Sequence, residues 1–331
     1  MKPLLTVVLP VYNAGKTIRK AISSILNQTF KEFELIIIND GSTDDTLSAI
    51  RSFNDDRIRL YSTPNRGVAK AANFAMKLAQ TNLIARMDAD DEALLDRLQL
   101  QYGYLQHNTD VEVVSGLVQY GGNRLKNLGY ALHVDRINEL ITHEQMFNRR
   151  FEDLPVANPS VMFCKSLIEK FGGYNEMNVP EDYELFLRWM SMGVKFSKLN
   201  HNLLIWNDLE TRITRTHSDY SEANFDQTKA LYLTNYLKNT YKTIPELWVW
   251  GAGRKVNSKV KLLRNLGLRI TLNIDVKQQE TRGNVMHYSQ IKSPGNYIIL
   301  SYVKDRKGKQ EIINYLNSRG FEEGKNYFLM N

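Results

Sequence analysis

The sequence predicts an α/β protein built on a largely parallel sheet. Short apolar runs alternate with segments of helical period, and polar residues gather where the runs end. Residues 4–9 form the first run, and Pro10-Val11-Tyr12-Asn13-Ala14-Gly15 supplies turn chemistry after it. Ile18, Ala21, Ile22, Ile25 and Leu26 recur at i, i+3, i+4, i+7 and i+8, one apolar helix face. Phe33 to Ile38 reads as a second strand ending at Asn39-Asp40-Gly41-Ser42, with Ser42 placed to cap a helix over 43–53. Ile58 to Tyr61 is a third strand. After Asn65-Arg66-Gly67, a helix sets Val68, Ala71, Ala72, Ala75, Met76 and Ala79 on one side. Leu83 to Met87 is the fourth strand, and it stops in Asp88-Ala89-Asp90-Asp91. Ligands of such sheets bind outside the carboxyl ends of the strands, where Tyr12, Asn13, Asp40, Arg66 and the acids of 88–91 fall. Clustered carboxylates repel one another unless a cation neutralises them, and Mg2+ or Mn2+ prefers such oxygens. Asp91 reads as the cap of a following helix whose Leu94, Leu95, Leu98 and Tyr102 face the core.

With 331 residues, 43% of them hydrophobic, the chain has room for two domains and a sizeable core. Its one cysteine, Cys164, excludes an intrachain disulfide framework, suits a reducing compartment, and sits in an apolar run as a structural thiol. No apolar stretch approaches the roughly 18 residues needed to span a bilayer. The chain is expected to be soluble and cytoplasmic. The net charge of +7 is concentrated: residues 242–331 hold 16 basic against 7 acidic side chains, while the first 241 hold 27 against 29. A basic C-terminal part on a near-neutral body suits an anionic surface or partner, or is simply a solvated face.

Further along, Val111 to Val118 is a β-rich run, and Ile137, Leu140, Ile141 and Phe147 suggest one more helix. Pro180-Glu181-Asp182-Tyr183 opens an amphipathic helix carrying Leu185, Trp189 and Met192. Carboxylates at a helix N-terminus complement its partial positive charge, and an ionised Asp there can also serve as a base.

Taken in order, Pro10-Val11-Tyr12-Asn13, Asn39-Asp40-Gly41-Ser42-Thr43-Asp44 and Asp88-Ala89-Asp90-Asp91 resemble the family 2 glycosyltransferases, an inverting group with the A-type glycosyltransferase fold. Asn158-Pro159-Ser160, Gly172-Gly173-Tyr174, Glu181-Asp182 and Thr214-Arg215-Thr216-His217-Ser218 resemble its later landmarks, so the likeness covers roughly residues 1–220. The resemblance implies metal-assisted transfer of one sugar from a nucleotide diphosphate sugar, UDP favoured, to a saccharide or lipid-linked acceptor in surface glycan synthesis. It implies nucleotide-sugar binding by Pro10, Tyr12, Asn13, Asp40, Arg66, Asp88 and Ala89. Asp40 would accept from the base edge, and Asp88 would contact the ribose. Asp90 and His217 would hold Mn2+ or Mg2+, Arg215 would approach the diphosphate, and Asp182 would be the general base beside Glu181. The Gln-x-x-Arg-Trp motif of processive synthases is absent. A sugar-phosphate nucleotidyltransferase and a non-catalytic sugar-nucleotide scaffold are the rival readings.

The expected layout is a catalytic domain over 1–220 (nucleotide half 1–105, acceptor half 106–220), a linking helix over 221–244, and a module over 245–331. In that module Trp250-Gly251-Ala252-Gly253 leads into a helix to Leu266, a strand over 270–274 and Asp275. It resembles the small Rossmann-like modules of some bacterial sugar transferases. Val256 stands at the third glycine position of a dinucleotide fingerprint, which leaves cofactor binding and docking both open. The basic module is expected to make peripheral contact with the inner face of the membrane, and nucleic acid is not expected as a partner.

Overall fold

The computed structural model describes residues 2–331 apart from 211, 213, 214, 216, 252 and 277–284. Thr214, Thr216 and Ala252, named in two motifs above, lie outside the described residues. The chain divides into two compact units, residues 1–143 with 155–220, and residues 144–154 with 221–331.

The first unit holds β1 (Leu5–Val11), β2 (Phe33–Asn39), β3 (Ile58–Ser62), β4 (Leu83–Arg86), β5 (Glu92–Ala93), β6 (Val113–Tyr120), β7 (Met162–Cys164) and β8 (Phe196–Trp206). They form one sheet in the order β3-β2-β1-β4-β7-β6-β8-β5. β1 pairs in parallel with β2 and β4, β2 with β3, and β6 with β8. β7 runs antiparallel to both β4 and β6, and β5 antiparallel to β8. Six strands therefore deliver their carboxyl ends to one edge. β1 and β2 are buried along their whole length, as strands covered on both faces must be, which is why they read as unbroken apolar runs.

The helices of this unit are α1 (Ile18–Leu26), α2 (Thr46–Arg51), α3 (Val68–Leu78), α4 (Arg97–His107), α5 (Leu128–Glu139), α7 (Ser166–Phe171) and α8 (Glu181–Ser191), while α6 (His143–Arg149) begins at its boundary. Several differ from expectation for local reasons. Pro10 continues β1 opposite Ile38. The 43–53 helix shrinks to α2, and the Ser42 hydroxyl accepts from the Asn13 amide at 3.0 Å, joining two loops where a cap was expected. Asp91 caps nothing: residues 92–93 pair with β8 first, and α4 begins six residues after Asp91, with Leu95 left 57% exposed. The helix expected through Phe147 breaks at Leu140, whose backbone is extended.

The second unit holds α9 (Glu222–Thr240), β9 (Glu246–Trp250), α10 (Arg254–Asn265), β10 (Ile270–Asp275), β11 (Val285–His287), β12 (Tyr297–Ser301), α11 (Arg306–Ser318) and β13 (Tyr327–Leu329). Its five strands are all parallel in the order β11-β10-β9-β12-β13. The order reverses direction between β9 and β12. Trp250, Ile274, Ile299, Leu316 and Tyr327 form one core of this unit. Among the described residues no helix is long and apolar enough to cross a membrane.

Trp189 anchors α8: it is fully buried, with its ring 5.1 Å from that of Phe163 and 6.1 Å from that of Phe186. Trp189→Ala is expected to lower unfolding free energy by about 3–5 kcal/mol, read as a lower urea midpoint. A loss below ~1 kcal/mol would show that α8 is held by other contacts.

Candidate active site

The carboxyl edge of the first sheet collects the site in spatial order. Beyond β3 and β2 lies Asp40, almost fully buried. Its carboxylate accepts from the Thr63 hydroxyl at 3.1 Å, the Arg66 amide at 3.0 Å and the Gly67 amide at 2.8 Å. The Arg66 amide also reaches the second oxygen at 3.1 Å, so Asp40 shapes the 63–67 loop through both of its oxygens. Gly41 is required beside it, because φ is +75° and a Cβ would stand 2.7 Å from the Asn65 amide nitrogen. The Arg66 side chain is exposed. At the end of β1, Tyr12 is half exposed, and Asn13, at φ +49°, accepts from the Thr43 amide at 2.8 Å. Pro10 is buried within β1, so its contribution to a ligand is confined to its backbone and the turn it starts.

At the end of β4, one ligand atom from each of Asp88, Asp90 and Asp91 lies within 4.8 Å of the others. Ala89 between them is half-buried. Burial, then Asp88, pushes the Asp90 carboxyl up to about 6. Burial, then Asp90 and Asp88, holds Asp91 well above the carboxylate range. Asp91 Oδ1 accepts from the Asn207 amide at 2.8 Å, but its Oδ2 is buried without a hydrogen-bond partner. A buried acceptor of this kind costs about 1–3 kcal/mol. An oxygen-lined, mutually repelling triad with one orphaned buried oxygen fits a hard divalent cation.

The Glu181-Asp182 pair at the start of α8 comes to the same place. Burial, then Asp182, drives Glu181 up to about 8, and the Tyr220 hydroxyl donates to Glu181 Oε2. Asp182 rises less, to about 6, by desolvation opposed by the Tyr183 amide, which donates to its Oδ1 at 2.7 Å. Asp88 also raises it, so the two acid groups share one field.

Three arginines that the sequence reading passed over answer these five carboxyls. Arg86, 1% exposed, pairs with Asp88 at 2.7 Å and is held charged by Asp88, Tyr174 and Glu181 against its burial. Arg97, fully buried, donates to the Arg86 carbonyl at 2.6 Å, and its burial lowers it to about 9. Arg212 is raised by Tyr130 and by Asp91, Asp90 and Asp88 against its burial, and donates to the Asn207 carbonyl at 2.9 Å. Fully ionised, the five acids exceed the three cations by two charges, the charge of one divalent ion.

Two proposed residues stand apart. Arg215 is paired at 2.5 Å with the buried carboxylate of Asp208, which also accepts from the Tyr120 hydroxyl, and Arg212 takes the position near the acids expected of Arg215. His217 is half exposed, with its ring 3.4 Å from Asp219, and does not join the acid cluster found among the described residues. A basic residue in a polar loop gives no sequence signal of which acid it meets.

Residues 6–172 match the family model for glycosyl transferase family 2. The chain is 32% identical over 209 residues to the O-antigen biosynthesis glycosyltransferase WbnJ of Escherichia coli, covering 61% of this chain and 78% of that one. Its fold is similar to that of S. aureus TarS 1–349 in complex with UDP-GlcNAc, with a TM-score of 0.54, 20% identity, and coverage of 72% and 73% of the two chains. It is also similar to the mannosyltransferase PcManGT of Pyrobaculum calidifontis in complex with GDP-Man and Mn2+, with a TM-score of 0.50, 19% identity, and coverage of 81% and 69%.

Arg86→Met would remove the buried cation between Asp88 and Glu181. A loss of about 3–5 kcal/mol in unfolding free energy is expected near neutral pH. The sign follows from linkage: carboxyls with raised folded pKa bind more protons folded than unfolded, so their stability contribution falls as pH rises. Urea titrations should therefore show the deficit of the variant shrinking from pH 8 to pH 5. A deficit that is constant with pH would mean Arg86 acts through packing alone.

Proposed function

The chain belongs to glycosyl transferase family 2, and we propose that it transfers one sugar, with inversion, from a UDP-sugar to a hydroxyl of a saccharide or lipid-linked acceptor in surface glycan synthesis. The observation that carries this reading is the meeting of Glu181 and Asp182 with the Asp88, Asp90 and Asp91 triad over the carboxyl edge of the sheet. The base edge of the nucleotide donates to Asp40, and Tyr12 and Asn13 border it from β1. Asp88 contacts the ribose, and Asp90, with its neighbour Asp91, holds Mn2+ or Mg2+. Bound there, such a cation stabilises the negative charge that develops on the departing diphosphate. Arg212, in the role first given to Arg215, adds a second positive charge on that side.

Asp182 removes the proton from the acceptor hydroxyl. Its surroundings and those of Glu181 push the two carboxyls apart, so at neutral pH Asp182 is the ionised member and Glu181 is mostly protonated against Tyr220. Such a separation is how neighbouring carboxyls divide acid and base roles. Attack by the acceptor hydroxyl, with Asp182 as its base, is a single displacement and inverts the anomeric centre. The basic second unit makes salt-sensitive peripheral contact with anionic membrane, and full-length chain should co-sediment with phosphatidylglycerol vesicles at low salt and be released at high salt. Equal sedimentation with neutral vesicles would overturn that contact.

Asp182→Asn is expected to lower transfer by about 10²–10⁴-fold while UDP affinity stays within roughly twofold. Near-normal turnover would remove Asp182 from the chemistry. In the unaltered chain, kcat/KM should decline as pH falls through about 6, because a base whose pKa is raised to that value is protonated there. A rate flat down to pH 4.5 would contradict the assignment.

A further inference from the structure

The far side of the acid cluster from Asp40 carries an aromatic group with no role in the reading above. Trp206 closes β8 opposite Tyr120 of β6. The ring of Tyr130, from α5, lies 5.3 Å from that of Trp206 and 6.0 Å from that of Tyr120. Buried Asp208 fastens the wall, accepting from the Tyr120 hydroxyl at 2.6 Å and from Asn127 at 3.0 Å. Gly121 and Gly122 allow the close approach this needs, since a Cβ on either would fall within 2.4 Å of Asn207 or Tyr120.

One polar atom of this wall is unanswered. The Trp206 indole Nε1 is buried without a hydrogen-bond partner in a residue 7% exposed. An indole N–H taken out of water normally finds an acceptor. Trp206 and Tyr130 both stand beside the chemistry. Asn207, next to Trp206, donates from its side chain to the Asp90 carbonyl at 2.8 Å, and the Tyr130 phenol is pushed up by burial, with Asp91, Asp208 and Asp182 adding to it. Arg212 covers the pair, its guanidinium 5.0 Å from the Tyr130 ring and 4.8 Å from the Trp206 ring. A diphosphate beside Asp90 would attract that cation and uncover both donors.

Resting on the transferase reading, we propose that Tyr130 and Trp206 form the acceptor subsite and take a pyranose, with the indole N–H and the phenol donating to its hydroxyls. The placement separates the two substrates: nucleotide over β3, β2 and β1, acceptor sugar over β6 and β8, with the acids of β4 and α8 between them. The acceptor therefore ends in a sugar, whatever carries it.

The test is calorimetry with octyl β-glucoside, octyl β-galactoside and octyl N-acetyl-β-glucosaminide, each below its micellar concentration, on protein saturated with UDP and Mn2+. Trp206→Phe and Tyr130→Phe keep the ring packing and each delete one donor. Expected is binding of at least one glycoside to the unaltered protein, weakened about three- to tenfold by each variant, and in turnover a raised acceptor KM with kcat nearly kept. Glycoside affinity equal in all three proteins, or no glycoside bound at all, overturns the subsite. Weakened binding of UDP-glucose, UDP-galactose or UDP-GlcNAc relative to UDP, with glycoside affinity unmoved, gives the pair to the donor sugar and also overturns it. Failure of UDP to bind the unaltered protein under any condition removes the transferase reading itself, and the subsite with it.

Discussion

A buried guanidinium makes the rest of the site possible. Arg86 is the last residue of β4, in a run that packs on both faces, yet it carries a full charge with almost no exposure. Without it, Asp88 and Glu181 would bring two acids from sequence positions nearly a hundred apart into one desolvated space, with only Arg97 and Arg212 left against five carboxyls. Uncompensated buried charge is far more costly than a buried pair. Arg97 continues the support one layer below, bonding the Arg86 carbonyl and, through Gln101 at 3.1 Å, the carbonyls of Val114 and Ser160. Strand, helix and the β7 region are thus tied beneath the acids before any ligand arrives.

The same confinement sets the chemistry. Acids held close together and away from water titrate high, and which one titrates highest depends on its neighbours. Glu181 meets a hydroxyl and a second carboxyl, whereas Asp182 accepts a backbone amide at the helix start. Two residues adjacent in sequence are thereby made unequal. When all are ionised, the five acids carry two more charges than the three arginines neutralise, and that excess suits a divalent cation at the β4 triad.

Much of this was legible in the residues. The alternation of apolar runs with helical periods gave the sheet, and the strand ends put Asp40, Asp88 and Asp90 at its carboxyl edge. The arginines were not legible. Arg86 sits inside an apolar strand and looks like an edge residue, and Arg212 differs from Arg215 only by three positions in a polar loop. Asp91 was read as a helix cap because capping and metal binding ask for the same side chain, and only the pairing of residues 92–93 with β8 separates them. The segment 144–154 carries no boundary signal, yet it groups with residues 221–331. Trp206 and Tyr130 carried no signal in the sequence, since the unanswered indole becomes visible only once its surroundings are in place.

The second unit, with its five-stranded parallel sheet, shows how far local motif and global fold can differ in information. Its strand order is fully developed although its glycine fingerprint is incomplete at Val256, so topology survives where ligand recognition cannot be read from the loop. The central claim concerns the first unit, and the most direct measurement is calorimetric titration with UDP and GDP, with and without Mn2+, on the unaltered chain and on Asp90→Ala. Expected is UDP binding that requires Mn2+, exceeds that of GDP and disappears in Asp90→Ala. UDP binding independent of Mn2+, or untouched by that substitution, would contradict the placement of the diphosphate and its cation over the end of β4.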